Sequence, residues 1–440
     1  MLQPLKKIKP SGWVLLVMTA LLLAICSNVN WGKERWKNIL EADGKGYYAY
    51  LPAVFIYQDL NYGFFDMIER EKYHDPNLFY DYRTQSNGKV TNKYFAGTAL
   101  AQAPFFGMAH VLTWMSGGDA DGYSRLYPMF INVAAVFYTL LGLLFLGAWL
   151  RRYGVKEGAQ ILVFIGLVFG TNLFYYIVSE PGMSHVYSFA FVSGFLALGD
   201  RYFRKPNGLS AMGVAAVLGM IVLIRPVNGL VVLLLPFLAG SLSQFLLGAR
   251  YLLQRPAQLL PVILIGLFFP FIQGLIYYVS VDSFWVYSYG EEGFIWTDPH
   301  MWDILFSYKK GLFLYTPLYL LALVSGLWGL WKFNRFQAWN VLLFFAVLTY
   351  VLSSWWMWFY GGSFSSRVYI EYLPLFGFLL AMALHQFAGW RHKVLVGGVL
   401  TLLLLCQIQT YQYRYYQIHW ADMTQEKYWD VFLRVDKLME

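Results

Sequence analysis

The chain is poor in charge, nearly without cysteine and free of repeats. Asp, Glu, Lys and Arg make up 13% of its 440 residues, against about 25% for a soluble globular domain. So few charges cannot coat a water-exposed sphere, which excludes an ordinary soluble protein. The two cysteines, Cys26 and Cys406, both lie inside apolar runs. They exclude a disulfide framework and a cysteine-rich metal site, and read as core or lipid-facing residues. No Asn-x-Ser/Thr sequon occurs, which leans toward a bacterial inner membrane rather than an ER membrane. No internal repeat or low-complexity tract is present, which weighs against an inverted-repeat transporter.

What is present is apolar and aromatic. Hydrophobic residues reach 58% and mean hydropathy is +0.46. Aromatics reach 20%, with 17 Trp and 34 Tyr. Such rings suit interfacial belts, and they also suit sugar binding, because pyranose faces stack on them. The net charge of +8 points to membrane topology and not to nucleic acid, since the cations sort by position along the chain. A basic start (Lys6, Lys7, Lys9) precedes an apolar run at 13–25. No clean small-x-small cleavage site follows, so the run reads as a retained first helix.

A spanning helix needs roughly 20 apolar residues. Candidate segments lie near 12–29, 97–115, 123–150, 158–178, 184–199, 209–224, 228–247, 259–280, 311–331, 339–357, 369–389 and 394–411. The positive-inside rule puts the Lys6–Lys9, Arg151/Arg152/Lys156, Arg201/Arg204/Lys205, Arg250/Arg255, Lys332/Arg335 and Arg391/Lys393 clusters on the cytoplasmic side. If every segment crossed, parity would place the later clusters outside. If 97–115 does not cross, all clusters fall inside. That segment holds Gln102, Pro104 and His110 and reads as a re-entrant or interfacial helix. The expected fold is therefore all-α and integral to the membrane, with about 11 transmembrane helices, a cytoplasmic N-terminus and an outer C-terminus. Residues 1–412 form one transmembrane domain, with outer loops near 30–122 and 281–310 and interfacial helices in the first. Residues 413–440 form a short outer tail. The cytoplasmic loops then hold only Glu157 and Asp200 of the 25 acidic residues.

Ionisable groups at a membrane boundary are costly and mark candidate sites. The first is the run Glu41 to Tyr48, in which Gly44 and Gly46 permit close backbone approach. Asp43 there is either a general base for an attacking hydroxyl or a helix N-cap. The second is the turn Ser179 to His185, where Glu180 and His185 either face one cavity or sit on a solvated turn. The third, Arg225-Pro226, offers a guanidinium to a phosphate or snorkels to headgroups. The fourth runs from Trp355 through Gly361-Gly362 to Arg367, an aromatic wall ending in a hydroxyl-rich turn and a cation. Lys309 and Lys310, ahead of Pro317, form a fifth. Carboxylates, cations and an aromatic wall on one face describe sugar transfer from a lipid phosphate, with the leaving phosphate stabilised by Arg or Lys.

These motifs, in this order, resemble the GT-C superfamily of polyprenyl-phosphate-sugar-dependent glycosyltransferases, which includes protein O-mannosyltransferases and the aminoarabinose transferases of lipid A. The resemblance covers about residues 10–412. Asp43 stands where those enzymes carry an essential Asp after the first helix, and Glu180 matches a second acidic position. Arg225-Pro226 resembles their basic residue at a middle span. The stretch Trp358 to Arg367 is similar to the Trp-x-x-Gly-x-x-Phe-Gly-x-Arg of bacterial members, and Ser307 to Phe313 with Pro317 looks like a further shared element. The chain differs in placing Gly44-Lys45-Gly46 where the family has Glu after its Asp. It also has only a short tail, so acceptor recognition is expected from loops. The resemblance implies inverting transfer on the periplasmic face to a glycan, lipid or protein acceptor, usually without an obligatory divalent metal. By it, Asp43 is the base. Arg225, Arg367, Lys309 and Lys310 hold the donor phosphate. Glu180, His185, Lys45, Tyr47 and Trp358 contact sugar or acceptor. A flippase of lipid-linked saccharide and a diphosphate-linked glycan ligase or polymerase are the rival expectations.

Overall fold

The computed structural model describes residues 9–438; Lys6 and Lys7 lie outside the described residues. The described chain is mostly helical. After α1 (Pro10–Asn30) and α2 (Asp43–Pro52) comes one antiparallel hairpin, β1 (Arg83–Ser86) and β2 (Lys89–Asn92). The helices α3 (Gly97–Met115), α4 (Leu126–Arg152), α5 (Glu157–Phe169), α6 (Leu173–Val178), α7 (Ser184–Arg204) and α8 (Gly208–Ile224) follow. A 3₁₀ helix, Pro226–Leu234, leads into α9 (Leu235–Ala239), α10 (Leu242–Leu253) and α11 (Pro256–Val281). The chain continues through α12 (Met301–Phe306), α13 (Leu312–Tyr315), α14 (Leu318–Phe333) and α15 (Arg335–Ser353). It closes with α16 (Leu373–Gln386), α17 (Gly389–Arg414) and α18 (Gln425–Val431).

Among the described residues, six helical segments are long and apolar enough to cross a membrane: α1, α4, α11, α15, α17 and the run Arg367–Gln386 that contains α16. The others are shorter, broken or more polar. The expected span 158–178 breaks at Gly170-Thr171-Asn172, between α5 and α6. The span 311–331 breaks at Thr316-Pro317, because proline lacks the N–H that a helix interior needs. The span 228–247 is not straight: Pro226–Ala239 and α10 meet at 115°. Gly240 takes the left-handed conformation there (φ 76°), and the Ser241 hydroxyl caps α10 by accepting from the Gln244 N–H. A 3₁₀ helix rises about 2 Å per residue against about 1.5 Å for an α-helix, so this limb reaches roughly 25 Å in few residues.

Helix ends sort into two levels. At one, Lys9 pairs with Glu157 at 3.8 Å, and Asp200 pairs with Arg152 at 3.1 Å and Arg204 at 3.0 Å. Asn334, which caps α15, also donates to the Gly240 carbonyl at 2.8 Å on this level. At the other level, the Asn30 amide donates to the Val178 carbonyl at 2.6 Å and to Asn132 Oδ1 at 3.2 Å. α3 packs on the half of the bundle that ends at this second level. Gly97 lies against the Leu223–Ile224 backbone, and His110 Nδ1 bonds the Tyr127 hydroxyl at 2.7 Å near the start of α4. α3 therefore runs beside the first half of α4, where the Tyr138 hydroxyl donates to the Ala101 carbonyl at 2.9 Å, and is not among the six candidate spans.

Two details go beyond the sequence reading. The polar, turn-rich part of the first long loop forms the hairpin, with Asn87-Gly88, both at positive φ, as its turn. The tail packs on the bundle: Tyr428 of α18 lies in a buried cluster with Tyr315 and Phe364, and Gln412 donates to the Val431 carbonyl at 2.6 Å.

Candidate active site

Asp43 is the first residue of α2, after Ala42 in the cap position, and its carboxylate bonds Tyr94 and Arg367. Ala42 before it holds φ 43° and ψ −129°, a conformation natural to glycine and strained for alanine. Two glycines let other segments close on this turn. Gly44 meets the Gly182 backbone, and a Cβ on Gly46 would stand 2.3 Å from the Tyr94 ring. Tyr94 arrives from the hairpin, whose Asn92 amide donates to the Gly46 carbonyl at 2.8 Å. The Tyr94 hydroxyl then donates to Asp43 Oδ1 at 2.8 Å, and the Tyr80 hydroxyl, 3.3 Å from the same oxygen, donates to the Tyr94 hydroxyl. Arg367 donates to Oδ2 at 2.8 Å. Burial works to raise the Asp43 pKa, but the Arg367 guanidinium, the Tyr94 hydroxyl and nearby Lys93 outweigh it and hold the carboxyl below its ordinary value.

A second ion pair faces the first. Arg225 ends α8 in extended backbone and donates to Glu371 Oε1 at 3.0 Å. His185 Nδ1 bonds the same oxygen at 2.9 Å. Glu371 is fully buried, and its Oε2 has no hydrogen-bond partner among the described residues. The carboxylate fixes the imidazole with its Nδ1 proton inward, which leaves Nε2 as the free nitrogen.

Both pairs border one cavity of about 710 Å³, lined by Asp43, His185, Arg225 and Arg367. That volume falls in the range of about 300–1,000 Å³ usual for small-molecule sites. Tyr47, Tyr289, Trp355 and Tyr360 supply aromatic wall, and Lys93 paired with Glu292 at 2.5 Å closes one side. Every cation at the cavity is thus matched to a carboxylate, which an anionic ligand would compete with.

The structure brings Asp43, Tyr47, His185, Arg225 and Arg367 together and separates five other expected site residues. Lys45 turns away from the cavity and pairs with Glu69 at 2.5 Å, because it stands two residues from both Asp43 and Tyr47, on the opposite side of α2 from the face they share. Lys310 donates to the Gly361 and Ser363 carbonyls at 2.6 Å each and to Ser363 Oγ at 2.8 Å. Its three ammonium protons are spent holding the Gly-Gly turn. Lys309 lies 3.5 Å over the Phe359 ring, and Trp358 stacks on His300, both outside the cavity lining. Trp355 and Trp356 line the cavity in place of Trp358. Glu180 also lies outside the lining, with Oε2 unpartnered and buried. Burial pushes both Glu180 and Glu41 up to about 7, against the pull of Arg367 on the first and of Lys45 and Arg414 on the second.

Sequence reading missed Tyr80, Lys93, Tyr94 and Glu371. Two signals point to them. Asn87-Gly88 between alternating residues marks a hairpin that must end in this region. Glu371 is a carboxylate at the head of an apolar segment, the costly placement that flags a functional residue.

Among the described residues, no three His, Cys, Asp or Glu side chains gather to hold a metal ion. Comparison of the chain with family models, curated proteins and solved structures finds no match.

Proposed function

We propose that the chain is a GT-C-type glycosyltransferase that moves a sugar from a polyprenyl-phosphate donor to a hydroxyl acceptor. The observation that carries this reading is one cavity shared by a carboxylate held ionised, Asp43, and two partly buried guanidinium groups, Arg225 and Arg367. The acceptor oxygen attacks the anomeric carbon while the bond from that carbon to the phosphate oxygen breaks. The electron pair leaves with the lipid phosphate, and Asp43 takes the acceptor proton. Arg225 and Arg367 take up the charge that develops on the leaving phosphate. Attack from the face opposite the phosphate inverts the anomeric centre. His185, fixed by Glu371, and the Tyr47 and Tyr289 rings orient the sugar. Under this reading the bundle makes eleven crossings, with the broken segments counted as spans. The cavity opens on the outer, periplasmic face, opposite the end that collects the basic clusters.

The test uses the purified chain and a panel of polyprenyl-phosphate sugars, reading release of free polyprenyl phosphate. The wild type releases it from at least one donor. Asp43→Asn lowers the rate by at least about 100-fold while still binding polyprenyl phosphate. Arg225→Gln and Arg367→Gln weaken that binding. Wild-type rates in the Asp43 variant, or no affinity of the wild type for polyprenyl phosphate, would overturn the reading.

A further inference from the structure

The end of the bundle opposite the Asp43 cavity carries a second concave region. Two cavities of about 540 and 390 Å³ adjoin there through Lys332 and Gln386, which line both. Cations reach them from separate helices: Arg152 of α4, Arg204 of α7, Lys332 of α14 and Arg391 of α17. No carboxylate lines either cavity. The nearby Asp200 is buried and pairs with Arg152 and Arg204, which leaves Lys332 and Arg391 uncompensated by it. Those two are drawn to the same ring: their charged groups stand 4.6 and 5.0 Å from the centre of Trp328. Two like charges held over one ring repel each other, and an anion beside them relieves the repulsion.

A basic helix end is ordinary at a membrane surface and needs no pocket. Here the cations converge on a concavity, with an amide to donate and no counter-ion in the wall. The rim is apolar, with Phe333 60% and Trp390 70% exposed, and the cavities sit at the ends of membrane-length helices α4 and α17. We propose that this double cavity binds the phosphate headgroup of an anionic membrane lipid, with the rim aromatics against its acyl chains. Guanidinium forks and an ammonium match phosphate oxygens, and the apolar rim favours a lipid phosphate over a free one.

The experiment titrates the purified full chain in detergent with phosphatidylglycerol or phosphatidylcholine. Lys332 and Arg391 are both exposed, so replacing them does not open the core. Binding of phosphatidylglycerol should be saturable, and the double variant Lys332→Gln/Arg391→Gln should weaken it about 25-fold, roughly fivefold for each cation. The control Lys156→Gln/Lys393→Gln removes the same charge from outside the cavity lining and should change affinity less than about twofold. Three results would sink the proposal: equal weakening in both double variants, equal affinity for phosphatidylcholine, or displacement of the lipid by millimolar inorganic phosphate, which would assign a soluble anion instead.

Discussion

The carboxylate of Asp43 can accept about four hydrogen bonds and takes firm ones from Arg367 and Tyr94, because the Tyr80 proton is engaged by the closer Tyr94 hydroxyl. Lone pairs remain for an acceptor hydroxyl. Because its pKa is depressed, Asp43 adds stability above its unfolded value near 3.8 and loses that contribution only as pH falls through its lower folded value. Changes near neutrality must come from elsewhere. Glu180 and Glu41 are raised to about 7 from 4.5. The folded state then holds protons that the unfolded state has released, so stability should fall as pH rises from about 5 to 7.5. Glu180→Gln should flatten that slope in thermal unfolding measured at each pH; an unchanged slope would remove Glu180 from this role. Lys310 is a structural pin at the same scale. Lys310→Met strands two carbonyls and a hydroxyl and should cost about 2–4 kcal/mol, read from denaturant unfolding in detergent.

At the scale of elements, the site depends on how closely backbones meet. α3 lies against the end of α8 only because residue 97 has no side chain: a Cβ there would stand 2.3 Å from Ile224 N and 2.5 Å from Leu223 C. Arg225 follows directly. Gly97→Ala must push α3 off α8 and shift Arg225, at a cost of about 1–3 kcal/mol. Polyprenyl-phosphate affinity should drop with it, whereas Gly107→Ala on the same helix meets open space and should leave both unchanged. The hairpin works in the same way. It carries no apolar run, yet it delivers Lys93 and Tyr94 to the cavity, and its position is fixed by Asn92 on the α2 backbone.

For the whole molecule, the two levels of helix ends can be tested by labelling. Cys26 and Cys406 are both fully buried, so native background should be low. Trp285, 86% exposed, follows α11 at the end of the Asp43 cavity, whose wall includes Val286, while Lys393 is exposed near the opposite end. With the proposed sidedness, Trp285→Cys should react with a membrane-impermeant maleimide on intact cells, and Lys393→Cys only after permeabilisation. The reverse pattern would invert the topology and place the cavity inside.

Composition was enough to indicate a mostly helical chain with membrane-length apolar segments, and the placing of charges beside those segments was enough to single out Asp43, Arg225 and Arg367 as candidates. Each of these follows from the cost of moving charge out of water, which leaves its trace along a single chain. The partners of those residues were a tertiary matter. Which carboxylate meets which guanidinium, that Lys310 holds a turn, and that Lys45 faces away depend on helix rotation and on contacts between segments as far as 324 residues apart in sequence. Packing between distant backbones sets those rotations, and no local periodicity encodes them.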